Sequence, residues 1–162
     1  MKFVKNLCYA LENQTKYVCR DLEPDDFRWR PDDINSAAIG WTAGHILVNQ
    51  DIIANHRLCG NPVMFDDLLA DFGIASNGDF PDSYAIEDIF DKFKQVNGEI
   101  VSVLEAKDDS WLEEMFDTSG FPPNWEGKSI GKGFILNFNH GLTHTGQILE
   151  VKRMIGKGAW GF

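Results

Sequence analysis

Ile86-Glu-Asp-Ile-Phe-Asp-Lys-Phe-Lys-Gln-Val-Asn-Gly-Glu-Ile-Val-Ser-Val-Leu104 decides the fold class. Its apolar residues, Ile86, Ile89, Phe90, Phe93, Val96, Ile100, Val103 and Leu104, recur every three or four positions. That is the period of a helix burying one face, and no strand carries it. The pattern predicts a helix from about Ser83 to Ala106. Outward from it, three more stretches read the same way. The first runs from Lys2 to Leu22, where Phe3, Leu7, Ala10, Leu11, Val18 and Leu22 form a stripe that Pro24 stops. The second opens at Ser36, a residue type suited to capping a helix N-terminus, and continues through His56 towards Gly60-Asn-Pro62. Gly40 and Gly44 weaken it by up to ~1 kcal/mol each, but leave room for a neighbouring helix or an aromatic ring. The fourth runs from Ser129 to Gly156, a glycine placed to end it. Lys152, Arg153 and Lys157 near its end complement the helix dipole.

The connections are Glu23-Pro-Asp-Asp26 with Arg28-Trp-Arg-Pro-Asp-Asp33, then 61–83 and 107–128. A short helix is expected from Phe65 to Phe72, and Phe121-Pro-Pro-Asn-Trp-Glu-Gly127 reads as loop. No stretch alternates as an amphipathic strand does, and no repeat period is present. The expectation is all-α: an up-down-down-up four-helix bundle with long irregular connections, one domain over residues 1–162.

Composition narrows the function classes. The 25 acidic residues outnumber 15 Lys and Arg, giving a net charge of -10. Such a chain repels phosphate backbones and anionic lipid surfaces, so no nucleic-acid or membrane partner is expected. No run of 18 apolar residues predicts a membrane span. The N-terminal Met1-Lys-Phe-Val-Lys-Asn-Leu-Cys-Tyr-Ala-Leu-Glu12 breaks its apolar residues with charge, so no secretory leader is expected and the setting reads as cytoplasmic. Cys8, Cys19 and Cys59 form no Cys-x-x-Cys pair. On a helix, Cys8 and Cys19 stand roughly 16 Å apart, too far to bridge, so all three read as reduced packing residues.

The chemistry sits in Asn139-His-Gly-Leu-Thr-His-Thr-Gly-Gln147. His140 and His144 lie one turn apart on one helix face, and imidazole is the commonest ligand for zinc, nickel and ferrous iron. The second helix offers a third donor, His45. A bundle builds metal sites from inward residues on facing helices, so His45, His140 and His144 form a candidate three-nitrogen site with open positions. Gln147 shares the face of His144, and Asn49 the face of His45; both are candidates for supporting or substrate contacts. His56 is excluded: eleven residues from His45, it stands roughly 16 Å along the axis, against metal–nitrogen bonds of ~2.0–2.1 Å. On spacing alone, a His-x-x-x-His pair is also a common surface pattern and His45 a satisfied core histidine.

Three segments in order resemble the DinB-like (DNA-damage-inducible) family of helical bundles. Leu22-Glu-Pro-Asp-Asp-Phe-Arg-Trp-Arg-Pro31 is similar to its Trp-Arg-Pro linker. Ile39-Gly-Trp-Thr-Ala-Gly-His-Ile46 is similar to its second-helix motif, and His140-Gly-Leu-Thr-His-Thr-Gly-Gln-Ile148 to its C-terminal one. The resemblance spans nearly the whole chain. It implies a divalent ion, nickel or zinc foremost and iron next, on His45, His140 and His144. It also implies a homodimer, and a thiol S-transferase or isomerase chemistry using small thiols such as bacillithiol or mycothiol. The connection at 107–128, longer than in a minimal member, is expected to cover one mouth of the site.

Whether the chain is an enzyme stays open at this point. One reading is a metal-dependent thiol transferase or hydrolase acting on a small thiol and a small electrophile. The other is a non-catalytic metal-binding module of stress response or interaction, and a plain helical interaction protein without metal is the third. Three imidazoles suit several divalent metals, and availability chooses among them.

Overall fold

The computed structural model describes residues 1–31, 36–121 and 123–158. Four long helices dominate them. They are α1 (Lys2–Cys19), α2 (Ile39–Asn49), α4 (Ile86–Ala106) and α5 (Ile130–Met154); a short α3 (Leu69–Phe72) lies between α2 and α4. Among the described residues there is no strand beyond one isolated bridge between Met115 and Ser129. The protein is an all-helical bundle. Helix α1 packs on α4 and α5, and α2 packs on the same two, so α1 and α2 face each other across the core. No helix among the described residues is long and apolar enough to cross a membrane.

The α4 stripe behaves as its period requires. Ile89, Phe93, Val96 and Ile100 are wholly buried, with Leu104 nearly so. Boundaries shift where local chemistry overrides pattern. Helix α1 stops at Cys19 rather than Leu22, because Arg20 is extended and Asp21 takes a positive φ of 63°. Pro24 then opens a 3₁₀ turn, Pro24–Phe27. Helix α2 begins after Ala38, not Ser36: the Ala38 N–H donates to Gly78 O at 2.8 Å, so the connection anchors this end instead of a side-chain cap. Gly78 turns with φ 82°, a conformation that favours glycine, and a Cβ there would press on Ala37 at 3.3 Å. Helix α4 starts at Ile86, three residues later than Ser83. The Phe65–Phe72 helix resolves into a 3₁₀ turn, Asp66–Leu68, followed by α3. Asp32 and Asp33 of the second linker, and Pro122, lie outside the described residues.

The second helix is not α-helical to its end. From Gln50 to Leu58 it widens to π-helical hydrogen bonding. The widening brings polar residues inward, and they are satisfied there. Asp51 accepts from the backbone N–H groups of Met64 and Phe65 and from Asn55 Nδ2. Lys152 also departs from its expected role. It is buried and donates to Val18 O and Arg20 O, closing the C-terminus of α1 rather than that of its own helix. Lys157 reaches Asp26 at 3.1 Å, tying the end of the bundle to the first linker.

The three cysteines are free, with Cys8 and Cys19 buried and Cys59 half-buried. Burial pushes each thiol up to about 12, which keeps them protonated packing residues at neutral pH.

Candidate metal centre

The two glycines of α2 position the centre. A Cβ on Gly44 would lie 2.5 Å from the Phe72 ring, and the Phe80 ring fills the space beside Gly40. The aromatic rings of the 61–83 connection therefore seat directly on the α2 backbone. With Phe72 fixed there, its carbonyl oxygen stands 2.7 Å from His45 Nδ1. A carbonyl only accepts, so Nδ1 carries the proton and Nε2 carries the lone pair. Trp41, one turn before His45, stacks on the imidazole at 4.8 Å with the planes 10° apart. Its Nε1–H donates to Ser76 Oγ at 2.7 Å, and Ser76 Oγ donates to Gly73 O. His45 is thus held in rotation and in tautomer before any ligand arrives.

Helix α5 crosses against this face. It approaches α1 closely because Gly141 accepts the Leu11 side chain where a Cβ would be. The neighbouring His140 and His144 turn towards α2. His140 Nε2 and His144 Nε2 are 3.1 Å apart, and His144 Nδ1 lies 2.6 Å from Gln147 Oε1. The ring centroid of His45 is 4.7 Å from that of His144 and 5.9 Å from that of His140. One ring nitrogen from each of His45, His140 and His144 falls within 4.8 Å of the others. The sequence expectation paired these three, and the structure brings them together. His56 is apart from them, with Nδ1 hydrogen-bonded to Asn61 O at 2.7 Å.

The donor set fits a divalent transition metal. Bonds of ~2.0–2.1 Å in a tetrahedral arrangement set ligand atoms roughly 3.3 Å apart. The His140–His144 pair already has that spacing. Two imidazole nitrogens meet this closely only across a shared proton or a cation. The electrostatics agree. Burial is the main cause holding all three imidazoles below their ordinary range, with His140 reaching about 4, where His144 and His45 add to the effect. Neutral imidazole is the ligating form, so the site stands ready at neutral pH.

Asn49 and Gln147 take up opposite relations to the ligands. Gln147 accepts from His144 Nδ1 and leaves Nε2 for the cluster. Asn49 Nδ2 donates to His45 Nε2 at 2.9 Å, onto the lone pair a metal would use, and also to His45 O. An ion held on His45 Nε2 would have to take the place of the Asn49 amide there.

A family model described as the DinB superfamily matches residues 9–148. The chain belongs to the DinB superfamily. No curated protein matches it. The matched region contains all three histidines, so the DinB superfamily assignment and the cluster rest on the same part of the chain.

Two connections border the centre of this DinB superfamily member. A cleft of about 330 Å³ opens on His144 and Gln147, and its walls are Arg30, Trp41, Ser76 and Asn77. The connection after α3, not 107–128, lines that mouth. The 107–128 segment instead reaches the Asn49 side through Ser119, Gly120 and Phe121. Trp41, Phe72 and Ser76 lay outside the sequence expectation. Trp41 was detectable, being four residues before His45; the Phe72 carbonyl was not, since no side-chain pattern marks it.

Proposed function

We propose that this chain binds one divalent transition metal, nickel or zinc, through His45, His140 and His144, and serves as a metal-dependent S-transferase joining a small thiol to a small electrophile. The observation that carries the proposal is the set of three imidazoles, two of them ring nitrogen to ring nitrogen at 3.1 Å and all within 4.8 Å. When bound, such an ion supplies Lewis acidity that lowers the pKa of a water or thiol in its open position. The protein's own groups do the rest. Phe72 O and Gln147 Oε1 hold the Nδ1 protons of His45 and His144, fixing both rings. Trp41 closes one side of His45 to water. The cleft beside His144 is polar, which suits a small hydrophilic thiol over an apolar one.

The test uses protein purified without a chelator. Metal content is measured, and the loaded protein is mixed with cysteine, glutathione, bacillithiol or mycothiol and a chloroarene. In the reaction the thiol proton passes to solvent, the S–C bond forms and chloride leaves with the bonding pair. The proposal expects thiol consumption by the loaded protein that stops on metal removal and returns on reloading. Bound metal with no consumption of any thiol or electrophile replaces the enzyme reading with that of a non-catalytic metal-binding module.

A further inference from the structure

A second cleft, of about 430 Å³, runs along the π-helical stretch and borders the centre through Asn49. Asn49, Ile52, Ile53, His56, Arg57 and Phe121 line it. Its connection to the centre is Asn49, whose Nδ2 is 2.9 Å from His45 Nε2. Residues 49, 52, 53 and 56 recur at helical spacing, and the π-helical stretch carries Arg57 into the same wall. The two isoleucines and Phe121 make the lining apolar. The one cation among these residues is Arg57, and one nitrogen of its guanidinium carries its protein contacts. Its guanidinium donates to Ser119 O and lies over the Phe121 ring, 5.1 Å from the centroid. Its carboxylate neighbour, Asp117, stands at 4.0 Å and gives its oxygens to Ser119 N and Oγ at 2.9 and 2.8 Å. A guanidinium has five N–H donors in a fork matched to carboxylate geometry, and Asp117 does not occupy that fork.

We infer that this cleft binds the electrophilic substrate, and that the substrate is a small apolar molecule with one carboxylate, its anionic end on Arg57 and its apolar body over Ile52, Ile53 and Phe121. The assignment rests on the metal-centre reading for its role, though not for binding itself, because Arg57 and the apolar walls do not depend on an ion. Two clefts of different character then meet the centre, a polar one at His144 and an apolar one at Asn49 whose cation, Arg57, stands at its far end. In a chain with a net charge of -10, an anion is attracted locally or not at all.

Phenylacetate tests the inference, with 2-phenylethanol as its uncharged counterpart and acetate as a carboxylate too small to fill the cleft. Each is titrated by calorimetry into metal-free and zinc-loaded protein. Saturable phenylacetate binding to both forms is expected. Loss of a charge-assisted hydrogen bond predicts binding weaker by about tenfold or more in Arg57→Gln and for 2-phenylethanol. Ile53→Glu, which places a like charge in the cleft, is expected to abolish binding, and both variants retain the wild-type zinc stoichiometry. Equal binding by Arg57→Gln, or by 2-phenylethanol, overturns the inference. Binding only to the zinc-loaded form, matched by acetate, also overturns it, because the carboxylate is then on the metal. Absence of zinc binding with phenylacetate binding intact removes the metal-centre reading and leaves the cleft standing.

Discussion

At the scale of single residues, each imidazole of the centre has a distinct support, and the supports predict distinct losses. His140→Ala or His144→Ala removes one of two facing nitrogens and is expected to abolish stoichiometric metal binding. The bundle remains folded, since neither ring is fully buried and the buried stripes supply the stability. His56→Ala is expected to leave metal binding unchanged, because its ring is committed to Asn61 O away from the cluster. Asn49→Ala removes a donor that competes for the His45 lone pair. A tighter metal-binding constant in a chelator competition is the expected result, and a weaker one would mean that Asn49 contributes a ligand atom. Protons compete at the same nitrogens. The imidazole of His140 falls from the ordinary 6.5 to about 4 on folding, with His45 and His144 shifted in the same direction. As the pH falls below about 6.5, the unfolded chain takes up protons before the folded one does. The metal-free protein therefore loses stability between pH 6.5 and about 4, and keeps what it has above 6.5. Urea midpoints measured across that window are expected to decline on acidification, and less steeply in His140→Ala.

At the scale of elements, the pairing of α2 with the 61–83 connection does more for the site than either helix alone. Gly44 admits the Phe72 ring, and the Phe72 carbonyl then fixes His45. Gly44→Ala gains helix propensity of up to ~1 kcal/mol. It also forces a methyl into a wholly buried ring held against Phe80 and Tyr84, an overpacking cost of typically 1–3 kcal/mol. Overpacking wins, and because the Phe72 carbonyl moves with its ring, metal affinity is expected to fall by about 10–100-fold. A chemical-denaturation curve and a metal titration check the two effects separately. This element also shows what the sequence made legible. The four helices, the three histidines and the room beside Gly40 and Gly44 follow from apolar period and residue size. The start of α2 at Ile39, the π-helical stretch at Gln50–Leu58 and the lining of the His144 cleft do not. They depend on backbone hydrogen bonds between distant segments, such as Ala38 N–H to Gly78 O, which leave no periodic trace.

At the scale of the molecule, a polar chain ties the bundle together through its apolar core. Asn137 of α5 donates to Gln50 at 2.7 Å, Gln50 to Asn97 of α4 at 2.9 Å, and Asn97 to Glu12 of α1 at 2.8 Å. Lys16 closes the chain on Glu12 at 2.7 Å. All four side chains from Asn137 to Glu12 are buried, so the links set the relative heights of the helices that carry the three histidines. Gln50→Ala strands Asn97 and Asn137 and opens a cavity. A destabilisation of about 3 kcal/mol is expected in urea unfolding, with metal stoichiometry retained by the folded fraction. The central property of this assembled bundle is that three imidazoles from two helices converge where they could hold a single ion. X-ray absorption at the metal edge of nickel- or zinc-loaded protein tests it most directly. One equivalent of metal with three imidazole nitrogens at ~2.0–2.1 Å is expected, and no specific metal in His45→Ala. Protein that takes up no nickel or zinc, or a metal whose shell keeps its imidazoles when His45 is replaced, would contradict it.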